Sequence, residues 1–280
     1  MKTSKRTVIQ VVLAILIVIV LFFLPGFTKP ERKAPFVCLG DSLFGNVAYS
    51  PTVPQLLQEQ LGIEVINGAF GGTCAACTNP SGYSSHFEDS LNLVHLVDSI
   101  VTRDFTYQKA TITLNEYKLD YFQESLELLS TIDFSSVGTI LIEHGTNDYN
   151  RGTQIENPED PMDINTYAGA LRQSIEKLKK AYPQARIILI TPTYCYFNDS
   201  LGNYSGTCEE KDFGGGILND YVDKEIDIAA EYGLEIIDQY YDFPINKDTI
   251  RSYTEDGLHL YIEGRQLVAD DIVEYLKNNP

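Results

Sequence analysis

Basic residues are scarce in this chain of 280 residues, where 21 Lys and Arg stand against 39 Asp and Glu and give a formal net charge of -18 at pH 7. Such an excess of negative charge repels phosphate backbones, so nucleic acid is not an expected partner. The acidic residues form no long single-sign blocks, and aromatic residues are plentiful, so a disordered acidic tail does not explain the charge. Repeats and low-complexity tracts are absent as well. The length allows one large α/β domain or two small ones.

Cysteine is also sparse, with five residues in the whole chain. Cys74 and Cys77 form a Cys-x-x-Cys motif, but no second Cys or His pair at zinc-finger spacing accompanies it, so we expect no metal. A redox motif stays open as an alternative. If the chain is exported, disulfides are permitted, with Cys74–Cys77 and Cys195–Cys208 as the local pairs, while Cys38 lies in a predicted buried strand.

Only one long apolar run occurs, at residues 8–24, and it is interrupted only by Gln10. At 1.5 Å per residue it spans about 25 Å, near the short limit for crossing a bilayer. Lys2, Lys5 and Arg6 precede it, and no Ala-x-Ala-like cleavage site follows it. We therefore expect residues 1–35 to be a single-pass membrane anchor and linker, with the remainder outside the cytoplasm, or else a cleaved signal that leaves a secreted protein.

The rest of the chain, residues 36–280, alternates predicted strands with predicted helices. The strands are expected at 36–39, 63–67, 137–143, 186–191 and 234–238, and the helices at 52–61, 166–182, 217–232 and 262–277. Such β-α repetition with short connections predicts a parallel sheet covered on both faces, with right-handed crossovers.

Residues 80–135 are expected to form a helical insertion over one face of this sheet. Apolar positions have helical spacing at 91–98 and again at 117–129, and residues 104–115 between them are predicted to be a loop that belongs to a lid. His86 and His95 are interpreted as structural or exposed.

Polar residues follow the predicted strands where each one ends. Ser42 follows the first strand in a Gly-Asp-Ser turn, the glycine-dense stretch 68–73 follows the second, and Asn147 follows the third. The carboxyl ends of parallel strands share one edge of a sheet, where ligands bind in open α/β folds. Asp256 and His259, in a loop near the carboxyl end of the chain, supply an acid and a base for the same edge.

Four blocks in this order resemble the SGNH/GDSL hydrolase family. They are Gly40-Asp41-Ser42-Leu43, Gly71-Gly72, Gly145-Thr146-Asn147-Asp148 and Asp256-Gly257-Leu258-His259. Each block alone is a common turn, but four in the family's order are specific. The resemblance covers nearly all of residues 36–277 and implies a three-layer α/β/α fold with a flavodoxin-like parallel sheet of about five strands.

The resemblance also implies a role for each block. Ser42 would be the nucleophile, His259 the base that takes its proton, and Asp256 the acid that fixes the His259 tautomer. The oxyanion donors would be the Ser42 N–H, the Gly72 N–H and the Asn147 side-chain amide, with Gly72 chosen over its neighbour by its distance from the preceding strand. No metal or organic cofactor is implied. Asp41 and Asp148 are expected to support their turns, and His144 either lines the site or packs behind it.

The family contains lipases, thioesterases, carbohydrate acetyl-esterases and acyltransferases, so the substrate stays open. The expected outward location favours an extracytoplasmic serine esterase that removes O-acyl groups, acetyl above all, from carbohydrate. An acyltransferase, a lipase or thioesterase and a non-catalytic glycan-binding protein are the alternatives. The aromatic residues of the loop 193–197 would stack on a sugar ring or accept an acyl chain, or else simply pack under the loop. Gly-x-Ser-x-Gly, the nucleophile motif of a different hydrolase fold, is absent from the chain.

Overall fold

The computed structural model describes residues 33–45, 47–77, 87–114, 121–254 and 256–280. Its strands are β1 (Phe36–Gly40), β2 (Val65–Asn67), β3 (Thr139–Glu143), β4 (Arg186–Ile190), β5 (Tyr196–Asn198), β6 (Tyr204–Thr207) and β7 (Glu235–Ile237). Its α-helices are α1 (Ser42–Gly45), α2 (Val53–Leu61), α3 (Phe87–Leu91), α4 (Leu93–Thr102), α5 (Thr106–Leu114), α6 (Tyr121–Thr131), α7 (Thr146–Asn150), α8 (Tyr167–Ala181), α9 (Leu218–Tyr232) and α10 (Ile262–Asn278).

Five of these strands form one parallel sheet in the order β2-β1-β3-β4-β7. Strands β1, β3 and β4 are continuous apolar runs, as expected for strands that are buried on both faces. Helix α2 packs against α10, and α8 packs against both α4 and α9. The predicted three-layer fold with a parallel sheet of five strands is thus confirmed, in the flavodoxin-like strand order.

The helix boundaries follow local chemistry that is visible in the sequence. Thr52 caps α2 by accepting the Gln55 N–H, while the Gln55 side chain accepts the Thr52 N–H in return. Helices α2 and α9 both end at a glycine in the left-handed region, Gly62 and Gly233. Cap residues of this kind explain why the predicted helices 52–61 and 217–232 lie within one residue of the observed ones.

The insertion differs from its prediction. Residues 106–114, expected to be a loop, form helix α5, which packs against α3 and α6. Thr106 begins this helix with Asp104 accepting both its N–H and its hydroxyl, a helix-start signal that was missed in the sequence. His95 is buried in α4, whereas His86 lies outside the described residues.

The residues from Ala34 to Pro280 form one compact unit. Among the residues that the structure describes, no helix combines the length and apolar character needed to cross a bilayer. The apolar run at 8–24, on which the membrane prediction rests, lies outside those residues.

Candidate active site

The carboxyl edge of the sheet gathers all four sequence blocks. Strand β1 ends at Gly40 and delivers Ser42 to the start of α1, while the neighbouring β3 delivers Asn147 to the first turn of α7. Strand order reverses between β1 and β3, because β2 lies on one side of this pair and β4 on the other. A crevice opens at such a switch point, where ligands bind in doubly wound folds.

A continuous chain of hydrogen bonds joins the three residues predicted to form a triad. Ser42 Oγ lies 2.9 Å from His259 Nε2, and His259 Nδ1 lies 2.7 Å from Asp256 Oδ2. The second Asp256 oxygen accepts the backbone N–H groups of Leu258 and His259, at 3.0 and 2.7 Å. Asp256 is therefore held by its own loop in the orientation that presents one oxygen to the imidazole.

The electrostatics of Asp256 favour its ionised form. Partial burial would raise the pKa of this carboxyl, but hydrogen bonds from the His259 ring and from the Leu258 and His259 N–H groups outweigh it and hold the pKa well below its usual value. An ionised Asp256 accepts the Nδ1 proton of a neutral His259, which leaves Nε2 free to accept a proton from Ser42.

The backbone N–H groups of Ser42 and Gly72 are two of the three predicted oxyanion donors. Gly72 has φ 80°, a left-handed conformation that favours glycine. The Gly71 N–H is already used, since it donates to the Tyr121 hydroxyl at 2.8 Å. The N–H groups of Ser42 and Gly72, by contrast, donate to no acceptor within the described part of the chain. This difference supports Gly72 over Gly71 as the predicted donor.

Asn147 is the third predicted donor, and its side-chain amide is engaged in the structure. Asn147 Nδ2 donates to Asp41 Oδ2 at 2.7 Å and to the Thr73 carbonyl at 3.1 Å. Asp41 also accepts the Leu43 N–H at 2.9 Å, so it ties the serine turn to the Asn147 block. To accept a hydrogen bond from the Asn147 amide, a substrate oxygen would have to replace the Thr73 carbonyl, which makes the longer of the two contacts.

Behind the serine turn lies a pair of buried acids that sequence reasoning did not connect. Burial raises the pKa of Asp41 to about 6, against the opposing effects of the Leu43 N–H, His259 and Asn147. Burial, followed by the Asp41 charge, also raises the pKa of Glu143 well above its usual value. The Glu143 carboxyl lies next to Asp41, so a protonated Glu143 can donate to the Asp41 carboxylate, and near neutral pH the proton stays on buried Glu143.

This pair predicts that folding stability falls as the pH rises. A carboxyl whose pKa is higher in the folded state binds more protons than the unfolded chain between the two pKa values, so stability is lost through that window. For Asp41 the window runs from 3.8 to about 6, and for buried Asp148 it runs to about 7. The pKa of Asp256 is lowered in the folded state, so Asp256 contributes stability that is lost as the pH falls below about 4.

We expect urea unfolding to give a free energy on the order of 4 kcal/mol lower at pH 8 than at pH 5, because Asp41 and Asp148 together span about three pH units of this window at about 1.4 kcal/mol per unit. Glu143→Gln should reduce that difference, because the folded state then no longer keeps a proton at position 143 that the unfolded chain releases. The account of the buried pair fails if the difference between the two pH values is the same in wild type and in the variant.

Asp148 and His144 are buried next to the candidate active site. Asp148 accepts the N–H groups of Ala75 and Ala76, at 2.8 and 3.0 Å, and so fixes the chain that follows Gly72. His144 is buried, and burial lowers its pKa to about 3, so it is neutral. Of the two places predicted for His144, the structure thus has it packed behind the site.

A hairpin made of β5 and β6 forms one wall beside the triad loop. The Tyr196 N–H donates to the Gly257 carbonyl at 3.0 Å, between Asp256 and His259. Gly257 has φ 96°, and a Cβ there would overlap the Tyr196 carbonyl oxygen, so this contact requires glycine. On the opposite face of the hairpin, the Phe197 ring lies 6.0 Å from that of Tyr149 in α7. The hairpin therefore contacts both α7, the helix that carries Asn147, and the Asp256 block.

The structure bears on two expectations for this loop. Tyr194 and Tyr196 are only 4% and 8% exposed, so of the alternatives predicted for these rings they pack under the loop and do not form a stacking surface. The structure contains no disulfide among its described residues, and the predicted pairs are not supported. Cys195 and Cys208 are buried neighbours in which the Cys195 N–H donates to Cys208 Sγ at 3.4 Å.

Comparisons with known proteins give the family. A sequence model of the GDSL-like Lipase/Acylhydrolase family matches residues 38–267. No curated protein sequence matches the chain. Among solved structures, a protein from Lactobacillus plantarum superposes with TM-score 0.58 at 15% identity, covering 89% of this chain and 99% of that one.

Two further structures have a similar fold. A possible lipase from Chitinophaga pinensis gives TM-score 0.57 at 16% identity, covering 87% of this chain and 98% of its own. A GDSL-like lipase from Bacteroides thetaiotaomicron gives TM-score 0.50 at 15% identity, with coverage of 91% and 94%. These identities show a shared fold only. The family match, however, begins before the Ser42 turn and ends beyond His259, and on this basis the chain belongs to the GDSL-like lipase/acylhydrolase family and is an ester-hydrolysing enzyme.

Proposed function

We propose that this enzyme is a serine esterase that acts through an acyl-enzyme on Ser42 and removes O-acyl groups, acetyl above all, from carbohydrate outside the cytoplasm. The observation that carries the mechanism is the hydrogen-bond chain from Ser42 Oγ through His259 to the ionised Asp256. A serine hydroxyl is a weak nucleophile until a base takes its proton, and here the base and its orienting acid are both in contact.

In the proposed reaction, Ser42 Oγ attacks the ester carbonyl carbon as His259 Nε2 takes its proton. The carbonyl oxygen becomes an oxyanion, stabilised by the N–H groups of Ser42 and Gly72 and by the Asn147 amide. When the C–O bond breaks, His259 returns the proton to the departing alcohol. Water then attacks the acyl-enzyme, His259 again takes and returns one proton, and the carboxylic acid and free Ser42 result.

Asn147→Ala should lower kcat roughly 10²–10³-fold, the effect typical of losing one oxyanion donor. The variant also removes the Asp41 contact, so its folding must be checked by circular dichroism. Asn165→Ala serves as the control, because Asn165 contacts only Asp163 at the surface. A loss smaller than tenfold in folded Asn147→Ala would remove Asn147 from the proposed oxyanion donors.

The carbohydrate part of the proposal has support from the hairpin surface. Tyr204 is 51% exposed, and the Arg251 guanidinium lies over its ring at 5.1 Å and over the Tyr196 ring at 4.6 Å. The exposed Tyr204 ring and Arg251 thus form a partly polar aromatic surface on the hairpin that contacts the Asp256 loop through the Tyr196 N–H and the Gly257 carbonyl. Aromatic rings beside polar groups suit sugar rings better than acyl chains. The proposed location rests on residues 8–24, a run long and apolar enough for a membrane anchor.

A substrate panel tests the proposal. Acetyl, butyryl and octanoyl esters, acetylated xylan and acetylated peptidoglycan would be compared, with Ser42→Ala as the blank. We expect acetate release from at least one polysaccharide and poor hydrolysis of the octanoyl ester. A clear preference for octanoyl ester would favour a lipase, and acyl transfer to an added acceptor glycan in place of free acetate would favour an acyltransferase.

A further inference from the structure

The imidazole of His259 has an aromatic neighbour that no sequence block includes. The Tyr49 ring stacks on it, with centroids 5.2 Å apart and planes inclined by 23°. This separation lies within the range of offset-stacked aromatic pairs. Tyr49 lies in a 3₁₀ turn, Val47–Tyr49, seven residues after Ser42, so the segment that carries the serine also covers one face of His259.

Arg265 fixes the two segments that bring these rings together. Its Nε donates to the Pro51 carbonyl at 2.9 Å, two residues after Tyr49, and its Nη1 donates to the Leu260 carbonyl, one residue after His259. The Arg265 guanidinium lies 5.9 Å from the Tyr49 ring centroid and is buried, at 7% exposure. A single side chain from α10 therefore sets the spacing between the Tyr49 segment and the His259 loop.

We propose that Tyr49 is a positioning residue for His259, whose ring holds the imidazole plane toward Ser42 and stabilises the imidazolium that forms during acyl transfer. The inference rests on the proposed function of His259 as the base. Aromatic faces carry negative charge density, so a stacked ring favours the protonated imidazole over the neutral one. The stacking also restricts rotation of the imidazole about the bond on which its alignment with Ser42 depends.

Other charged groups act on the same imidazole. Asp256 contacts Nδ1 directly, and buried Asp41 acts on His259 through its charge. Arg265 of α10 is positively charged and is held by the Leu260 carbonyl, one residue after His259. All three charged side chains remain when Tyr49 is replaced by another neutral side chain, and Arg265 keeps both of its carbonyl acceptors. The contribution of the ring can therefore be separated from theirs by the pH dependence of the reaction.

The test compares Tyr49→Phe and Tyr49→Leu in the purified full-length protein, with p-nitrophenyl acetate as the substrate. Tyr49→Phe keeps the ring and should retain activity within about twofold. Tyr49→Leu keeps similar bulk without the π face, and its kcat should fall roughly three- to tenfold with little change in KM. The acid limb of its kcat/KM profile should move to lower pH by about half a unit, because the imidazolium loses a stabilising contact.

Tyr107→Leu, at an exposed position on α5, controls for the loss of a tyrosine elsewhere. Thermal melts establish that each variant is folded. If Tyr49→Leu matches wild type in kcat and in its acid limb, or if Tyr49→Phe loses as much as Tyr49→Leu, the proposed role of the ring is wrong. Failure of wild type itself to hydrolyse the ester would instead overturn the proposed function.

Discussion

Replacing Ser42 by alanine is expected to lower ester hydrolysis roughly 10⁴- to 10⁶-fold, the range seen when the nucleophile of a triad is removed. The substitution deletes the hydroxyl proposed to form the acyl-enzyme, while the proposed N–H donors and base remain. The folded state should change little, since Ser42 Oγ has a single described partner, His259 Nε2, and the side chain is partly exposed.

The measurement is kcat/KM on p-nitrophenyl acetate, with thermal melts to compare stability. Ser130→Ala is the matched control: Ser130 is also a partly exposed serine, but it lies on α6, and its hydroxyl contacts only the Glu127 carbonyl. Near-normal hydrolysis by folded Ser42→Ala would show that the serine does not carry the reaction.

The second large effect is expected for Asp256→Asn, which should lower kcat roughly 10²- to 10⁴-fold. The Leu258 and His259 N–H groups require an acceptor at Oδ1, so the introduced amide keeps its oxygen there and turns its NH₂ toward His259 Nδ1. That arrangement moves the imidazole proton to Nε2, which then donates to Ser42 and cannot take its proton. Because the Asp256 side chain is about half exposed, we expect a smaller loss of kcat than a fully buried acid would give.

A pH–rate profile separates this explanation from simple loss of charge. The wrong tautomer predicts a low kcat at every pH, while KM stays near its wild-type value. Asp248→Asn, an exposed carboxylate outside the site, should leave both parameters unchanged. An Asp256→Asn enzyme that recovers full activity at high pH would contradict the assigned role of Asp256.

The central sheet could be predicted from the sequence because its strands are continuous apolar runs separated by capped amphipathic helices. Those signals are local. The order β2-β1-β3-β4-β7 was expected only through the resemblance to the SGNH/GDSL family, which implies a flavodoxin-like sheet. The hairpin β5–β6 and helix α5 were not predicted, because neither has a strong hydrophobic pattern. The hairpin strands are three and four residues long and carry no clear alternation, and α5 has a polar surface with weak periodicity.

The sequence located Ser42, Gly72, Asn147, Asp256 and His259 because each follows a strand end or lies in a motif of fixed spacing. The structure brings all five to one edge of the sheet, although their catalytic roles remain proposals. Contacts between distant segments carry no such signal. Such contacts depend on how distant segments pack, and the pattern of a single sequence does not contain that information. Examples are the Glu143–Asp41 pair, the Arg265 hydrogen bonds to two loops and the Tyr49–His259 stacking.

Covalent labelling tests the central claim most directly. The purified full-length protein would be treated with a fluorophosphonate, which reacts with an activated serine, and the adduct located by mass spectrometry of its peptides. The account predicts one adduct, on Ser42, formed in wild type and nearly absent in Asp256→Asn, because the hydroxyl is activated only through His259 and Asp256. A folded wild-type protein that stays unlabelled at Ser42, or that is labelled equally well in Asp256→Asn, would contradict it.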